Sequence, residues 1–214
     1  AGNLSDDQKN QIFYDSTNVD FKYRIAAVTS AGSWRTGNSM NTARSQLAGA
    51  GTQTSALVFG GEPGPPAITA DTEEYDGTTW TEVNNLNTAR RLLTGTGAVN
   101  TQAIAVSGWL QPGQSTNVET WNGTNWTETT DVNVGRYSGR CAGTYTSALY
   151  FGGINPALNY SALTESWNGS AWTEVGDLNT ARQSLAATGA DNTSCLGSSG
   201  NSGTPPGSTT VVES

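Results

Sequence analysis

Arg44, Arg90, Arg136 and Arg182 stand 46 residues apart in a chain that holds 10 basic and 18 acidic side chains. Glutamates recur beside them: Glu73, Glu119 and Glu165 keep the same step, and Glu213 completes the set. Two chemistries fit this pattern. A ring of guanidiniums could grip an anionic ligand such as a sulfated or acidic glycan. Alternatively, each arginine meets one glutamate inside the fold, where removing either partner would leave a costly lone charge. The repetition favours the ion pairs, because a scaffold needs the same contact in every unit.

Missing residue types narrow the rest. With no histidine in the sequence, there is no imidazole base for a Ser-His-Asp triad and no imidazole ligand for zinc or copper. Neither a metal site nor a cofactor is expected. Glu82, Glu128 and Glu174 also recur once per unit, whereas glycoside hydrolysis needs a carboxylate pair about 5–10 Å apart across a cleft. An enzyme is therefore not expected, and a glycan hydrolase is the weakest reading. Cys141 and Cys195 lie in unlike contexts and read as two small buried thiols, a disulfide being the alternative. A net charge of −8, with Lys9 and Lys22 the only lysines, argues against a nucleic-acid surface. No run of 18 apolar residues is present, so membrane insertion is not expected.

The elements that must carry these charges repeat with them. Trp34, Trp80, Trp126 and Trp172 precede the four arginines by ten residues each, with Met40, Leu86, Val132 and Leu178 between. The wording repeats too: "MNTAR", "LNTAR" and "LNTAR" end at Arg44, Arg90 and Arg182, while the third copy reads "VNVGR". Within one unit, residues 46–51 and 55–59 read as short strands. Residues 72–75 and 79–83 read as a hairpin turned by Asp76-Gly77, with Asn122-Gly123 and Asn168-Gly169 in the next units. Four short strands per 46 residues, four times over, predict an all-β fold, a β-propeller of four-stranded antiparallel blades. The last blade runs out of sequence before its fourth strand. The N-terminal strand around Trp34 is expected to complete it and close the ring, the rival being a piece of a longer array. Residues 31–214 form this propeller. Residues 1–30 lie outside the repeat and read as a hairpin for attachment or oligomerisation, or as a strand pair that plugs the ring.

Gly60-Gly61, Tyr75, Trp80, Leu86 and Arg90 resemble the kelch repeat, although the aromatic-to-tryptophan spacing is shorter than kelch repeats use. The Asn-Thr-Ala-Arg and Trp-Asn-Gly-Thr wording, with "QIFYDSTNVDFKY" at residues 11–23, resembles kelch-like repeats in fibre and virion proteins of marine bacteriophages. That resemblance implies a structural or host-recognition module at the particle surface, a tail fibre or capsid appendage synthesised in the host cytoplasm. Its N-terminal segment would join other virion proteins, and homo-oligomers would be in keeping. A host glycan or protein would be its ligand. An adaptor between proteins is the alternative.

The four strand two–three loops diverge while the framework repeats: "EPGPPAITA", "LQPGQST", "INPALNYS" and "NSGTPPGS". Variation on a fixed framework is how scaffolds acquire recognition, though surface drift gives the same result. Trp109 opens one loop and has no aromatic counterpart in the others. With Leu110, Gln111, Asn155, Tyr160 and Asn201 it makes the candidate ligand-binding set. Trp34, Trp80, Trp126 and Trp172, as on-pattern residues, are expected to pack between blades.

Overall fold

A computed structural model describes residues 12–15, 20–23, 36–203 and 207–214. The chain divides into two units, Ala1–Gly37 and Asn38–Ser214. The first contains the expected hairpin: β1 (Ile12–Asp15) pairs antiparallel with β2 (Asp20–Tyr23), Ile12 facing Tyr23 in register.

The second unit is a four-bladed β-propeller. Blade one is β3 (Ala48–Thr52), β4 (Ser55–Phe59), β5 (Thr72–Tyr75) and β6 (Trp80–Val83). Blade two is β7 (Thr94–Val99), β8 (Gln102–Val106), β9 (Val118–Trp121) and β10 (Trp126–Glu128). Blade three is β11 (Arg140–Thr144), β12 (Ser147–Phe151), β13 (Thr164–Trp167) and β14 (Trp172–Glu174). Blade four is β15 (Ala186–Gly189), β16 (Cys195–Ser198) and β17 (Val212–Glu213). Each sheet is an antiparallel meander in chain order. The innermost strands β3, β7, β11 and β15 stand beside one another in that order.

Those inner strands are built from Gly, Ala and Thr because they are crowded. A Cβ on Gly95 would lie 2.5 Å from the Phe59 ring of the preceding blade, and in the second strand of blade four one on Gly197 would lie 2.8 Å from Phe151. Larger apolar side chains fill the wedge between blades instead. Leu57, Phe59, Leu86, Leu93, Trp121 and Trp126 form the core between blades one and two. Ile104, Val106, Val118, Val132, Tyr150 and Trp172 continue it between blades two and three.

The repeated tryptophans play the expected packing part in these wedges. Trp126 meets Phe59 edge-on at 4.8 Å, and its indole N–H donates to Thr72 Oγ1 at 3.0 Å, both partners in the blade before. Trp172 is equally buried, but Val118 stands where its threonine would be, and its indole nitrogen has no hydrogen-bond partner. Trp80 is half-buried. Trp34 lies outside the described residues, as does the N-terminal strand expected to complete the last blade. Among the described residues blade four has three strands. Beside its edge a groove of about 380 Å³ is lined by Phe151, Thr164, Leu178 and Val212, the first two occupying the places of Phe59 and Thr72.

Two strand limits differ from the sequence reading. The first strand begins at Ala48, because Gln46 adopts a left-handed conformation (φ 58°) that ends pairing. The outer hairpins use four-residue turns, with Tyr75 facing Trp80. Asp76 accepts the N–H groups of Thr78 and Thr79, at 2.7 and 2.8 Å, and Gly77 takes φ +94°. Asn122 and Asn168 build the same turn in the next blades. Both cysteines are free, and burial pushes the Cys141 thiol pKa up.

Candidate functional site

The Asn-Thr-Ala-Arg motif is a receptor for one glutamate. Asn41 donates its backbone N–H to Glu73 Oε2 at 2.7 Å and its side-chain amide to the same oxygen at 3.1 Å. Arg44 Nη1 takes Oε1 at 2.6 Å. Asn87 and Arg90 hold Glu119 likewise, at 2.7, 2.9 and 2.5 Å. Asn133 holds Glu165 at 2.7 and 2.9 Å, and Asn179 holds Glu213 at 2.6 and 2.9 Å. Arg136 lies 3.3 Å from Glu165 and Arg182 lies 3.0 Å from Glu213. All four guanidiniums are wholly buried. The third copy can read Asn-Val-Gly-Arg because the gripping residues are the first and the last.

Arg90, Arg136 and Arg182 each also tie neighbouring blades together. The side chain of each reaches the glutamate of the blade it opens, while its carbonyl accepts from the blade before. Gly61 N–H donates to Arg90 O at 2.9 Å, Gly108 N–H to Arg136 O at 3.0 Å and Gly153 N–H to Arg182 O at 2.9 Å. The paired glycines supply φ +66° and +111° at 60 and 61. In the second blade Ser107 takes the first glycine's place at φ 55°, and its hydroxyl lies 2.6 Å from Arg136 O. Burial lowers the Arg90 pKa, a cost that the Glu119 charge opposes. Neutralised and enclosed, these arginines form a frame and leave no guanidinium ring open to a ligand.

The same end of the propeller carries the parts that do not repeat. Backbone bridges Ser45–Glu62, Arg91–Trp109, Tyr137–Ile154 and Gln183–Asn201 lay each blade-to-blade connection against a strand two–three loop. Inside them runs a belt of left-handed residues, Gln46, Leu92, Ser138 and Ser184. Leu92 N–H donates to Gln46 O at 2.8 Å, Ser138 N–H to Leu92 O at 3.0 Å and Ser184 N–H to Ser138 O at 2.9 Å. The backbone is thus the same at every step, while the side chains are free to differ.

They differ in chemistry as well as size. At the first blade, buried Glu62 accepts Gln46 Nε2 at 2.7 Å and pairs with Arg91. At the second, half-buried Trp109 packs edge-on against Tyr137, ring centres 5.2 Å apart. Gln114 donates to Asn155 O at 3.0 Å, joining the second loop to the third. Tyr160 lies against Gly203 so closely that a Cβ there would be 2.1 Å from its ring, joining the third loop to the fourth.

The candidate loop residues from the sequence therefore lie on one end of the propeller. Trp109, Leu110, Asn155, Tyr160 and Asn201 are half-buried and Gln111 is exposed. Sequence reasoning missed Glu62, Arg91 and Tyr137, which build the floor of this end. The signal was available: Arg91 and Tyr137 follow the repeated arginines, where the other units have Ser45 and Gln183. It also missed Leu158, 66% exposed at the tip of the third loop. Among the described residues no group of three or more Cys, Asp or Glu side chains is placed to hold a metal ion.

Neither a protein-family model nor a curated protein matches the chain in sequence. Its fold is similar to a solved structure titled "Structure of YjhT", with a TM-score of 0.66 and 11% sequence identity. The match covers 78% of this chain and 61% of that one, so the chain spans less than two thirds of its neighbour's length. At that identity the likeness speaks to the propeller fold.

Proposed function

We propose that the propeller is a non-enzymatic recognition module that binds through its strand two–three loops, and that it serves on a phage particle as a tail-fibre or capsid-surface part in host attachment. One observation carries the binding half. On the loop-bearing end the backbone is regular from blade to blade, yet the side chains run from an ion pair (Glu62–Arg91) to an aromatic pair (Trp109–Tyr137). A frame that holds different chemistry at equivalent positions is suited to recognition. The same positions would serve an adaptor between proteins, which is the second reading. Support for the phage particle comes from the repeat wording and from the resemblance of residues 11–23.

A non-enzymatic role agrees with the acids. Glu73, Glu119, Glu165 and Glu213 are committed to their arginines. Glu82, Glu128 and Glu174 are exposed on outer strands. Several copies on one particle would add avidity to weak single contacts.

The test is a glycan array probed with the protein coupled to beads, together with mass spectrometry of purified virions. The proposal expects a ligand whose capture falls about tenfold in Trp109→Ala or Tyr160→Ala and is unchanged in Glu128→Gln, with the chain found in the particles. Capture equal in all three variants would overturn the loop assignment. Recovery of the chain only in soluble complexes from host cytoplasm would favour the adaptor.

A further inference from the structure

Six arginines fall within the described residues, and five of them face a glutamate: Arg44, Arg90, Arg91, Arg136 and Arg182. Arg140 is the sixth. Among the described residues its one side-chain hydrogen bond runs from Nη1 to Gly139 O, the carbonyl next to it in sequence, at 2.9 Å. Among the described residues no carboxylate stands against it. In a chain with net charge −8, a cation without a partner needs a reason.

Its position is also off the repeat. Arg140 is the first residue of β11, where β3, β7 and β15 begin with Ala48, Thr94 and Ala186. These four positions ring the channel at its loop-bearing end. There Arg140 lines a cavity of about 480 Å³ with Leu47, Leu93, Thr94, Cys141 and Leu185, a size suited to small-molecule pockets of about 300–1,000 Å³. Thr94 Oγ1 accepts the Cys141 N–H at 3.0 Å, which leaves its hydroxyl proton for another acceptor. The nearby rim charges Glu62 and Arg91 neutralise each other. Burial alone lowers the Arg140 pKa, with no neighbouring negative charge to oppose it. The repeated arginines show what an arginine costs and receives in this fold, and Arg140 bears that cost without receiving a carboxylate.

We infer that the channel mouth is a binding site for a carboxylate, that of an acidic sugar, with Arg140 as the paired cation and Thr94 as a hydroxyl donor. A planar guanidinium fork matches a carboxylate with two parallel hydrogen bonds, and half-buried Leu47 offers the sugar ring an apolar contact. This deepens the proposed recognition face: the ring's remaining atoms would meet the loops around Trp109, whereas the carboxylate contact needs only the channel.

The experiment follows the arginine Nε–H signals of the ¹⁵N-labelled full chain, titrated with sodium acetate and then with trigalacturonate at constant ionic strength. A saturable shift of the Arg140 signal with acetate is expected, with the four repeat arginines unmoved. Trigalacturonate should bind at least about tenfold more tightly, and Arg140→Gln should lose both responses while keeping a folded spectrum. No saturation, or an equal response in Arg140→Gln, would overturn the site. Trigalacturonate binding no more tightly than acetate would overturn the sugar. In Trp109→Ala an unchanged acetate titration is expected even if the loops take no part in recognition, so failure of the wider reading shows separately.

Discussion

Asn87 offers Glu119 two donors, its backbone N–H at 2.7 Å and its side-chain amide at 2.9 Å, on the carboxylate oxygen that Arg90 does not take. Four consecutive residues thus carry both halves of a buried carboxylate receptor, and one such receptor lies in each blade. Removing one side of a buried pair leaves the other uncompensated. Glu119→Ala or Arg90→Met should each destabilise the propeller by about 3–5 kcal/mol. The double variant should lose clearly less than their sum, because no lone charge remains. Equilibrium denaturation of the three variants measures the coupling; additive losses would mean that the two side chains do not depend on each other.

The tryptophan wedges contain a natural comparison. Trp126 has Thr72 as its acceptor, and Trp172 has Val118 in the equivalent place and an orphaned indole N–H. Thr72→Val should cost about 1–3 kcal/mol by orphaning the first indole. Val118→Thr should gain about 0.5–1.5 kcal/mol by satisfying the second. Denaturation midpoints with unchanged slopes check both signs.

The second glycine of each pair is predicted to resist any side chain. At Gly61 φ is +111°, and a Cβ would lie 2.6 Å from Ser45 O. Gly61→Ala should destabilise by about 1–3 kcal/mol, through strain that backbone cannot relieve. A thermal midpoint equal to the parent's would contradict the close approach.

Acid sensitivity follows from two carboxylates. Burial works to raise the Glu73 pKa, but the N–H groups of Asn41 and Thr42 and the Arg44 guanidinium outweigh it, holding the value below the ordinary 4.5. The Asp76 pKa is lowered by the N–H groups of Thr79 and Thr78. A carboxylate with a depressed folded pKa contributes stability in full above its ordinary value, and that stability is lost as pH falls through the folded one. Thermal midpoints should therefore fall as pH drops below 4.5. Asp76→Asn keeps the turn, as Asn122 and Asn168 already do, and should show a shallower fall. An acid limb as steep as the parent's would remove Asp76 from the account.

How much of this could be read from the sequence depends on whether the cause repeats. The 46-residue step exposed the blades because every blade makes the same demands at Trp126, Leu86 and Arg90. The co-recurring glutamates exposed the ion pairs, since two charges that return together are explained most simply by each other. What lay hidden leaves no residue-type pattern. The left-handed step that ends pairing before the first strand falls on Gln46, Leu92, Ser138 and Ser184, three residue types with no shared signal. Arg91 finds Glu62, and Tyr137 finds Trp109, only because the bridges at 45–62 and 91–109 bring connection and loop together. Arg140 could be noticed as an off-pattern charge, but that no carboxylate among the described residues pairs with it is a fact of three dimensions.

The repeated arginines are frame, and the available charge is that of Arg140. Arginine modification by phenylglyoxal, with each site read by peptide mass, tests this most directly. In the folded protein Arg140 should be modified while Arg44, Arg90, Arg136 and Arg182, fully enclosed with their glutamates, stay protected until the propeller unfolds. Modification of those four at the rate of Arg140 under native conditions would contradict it.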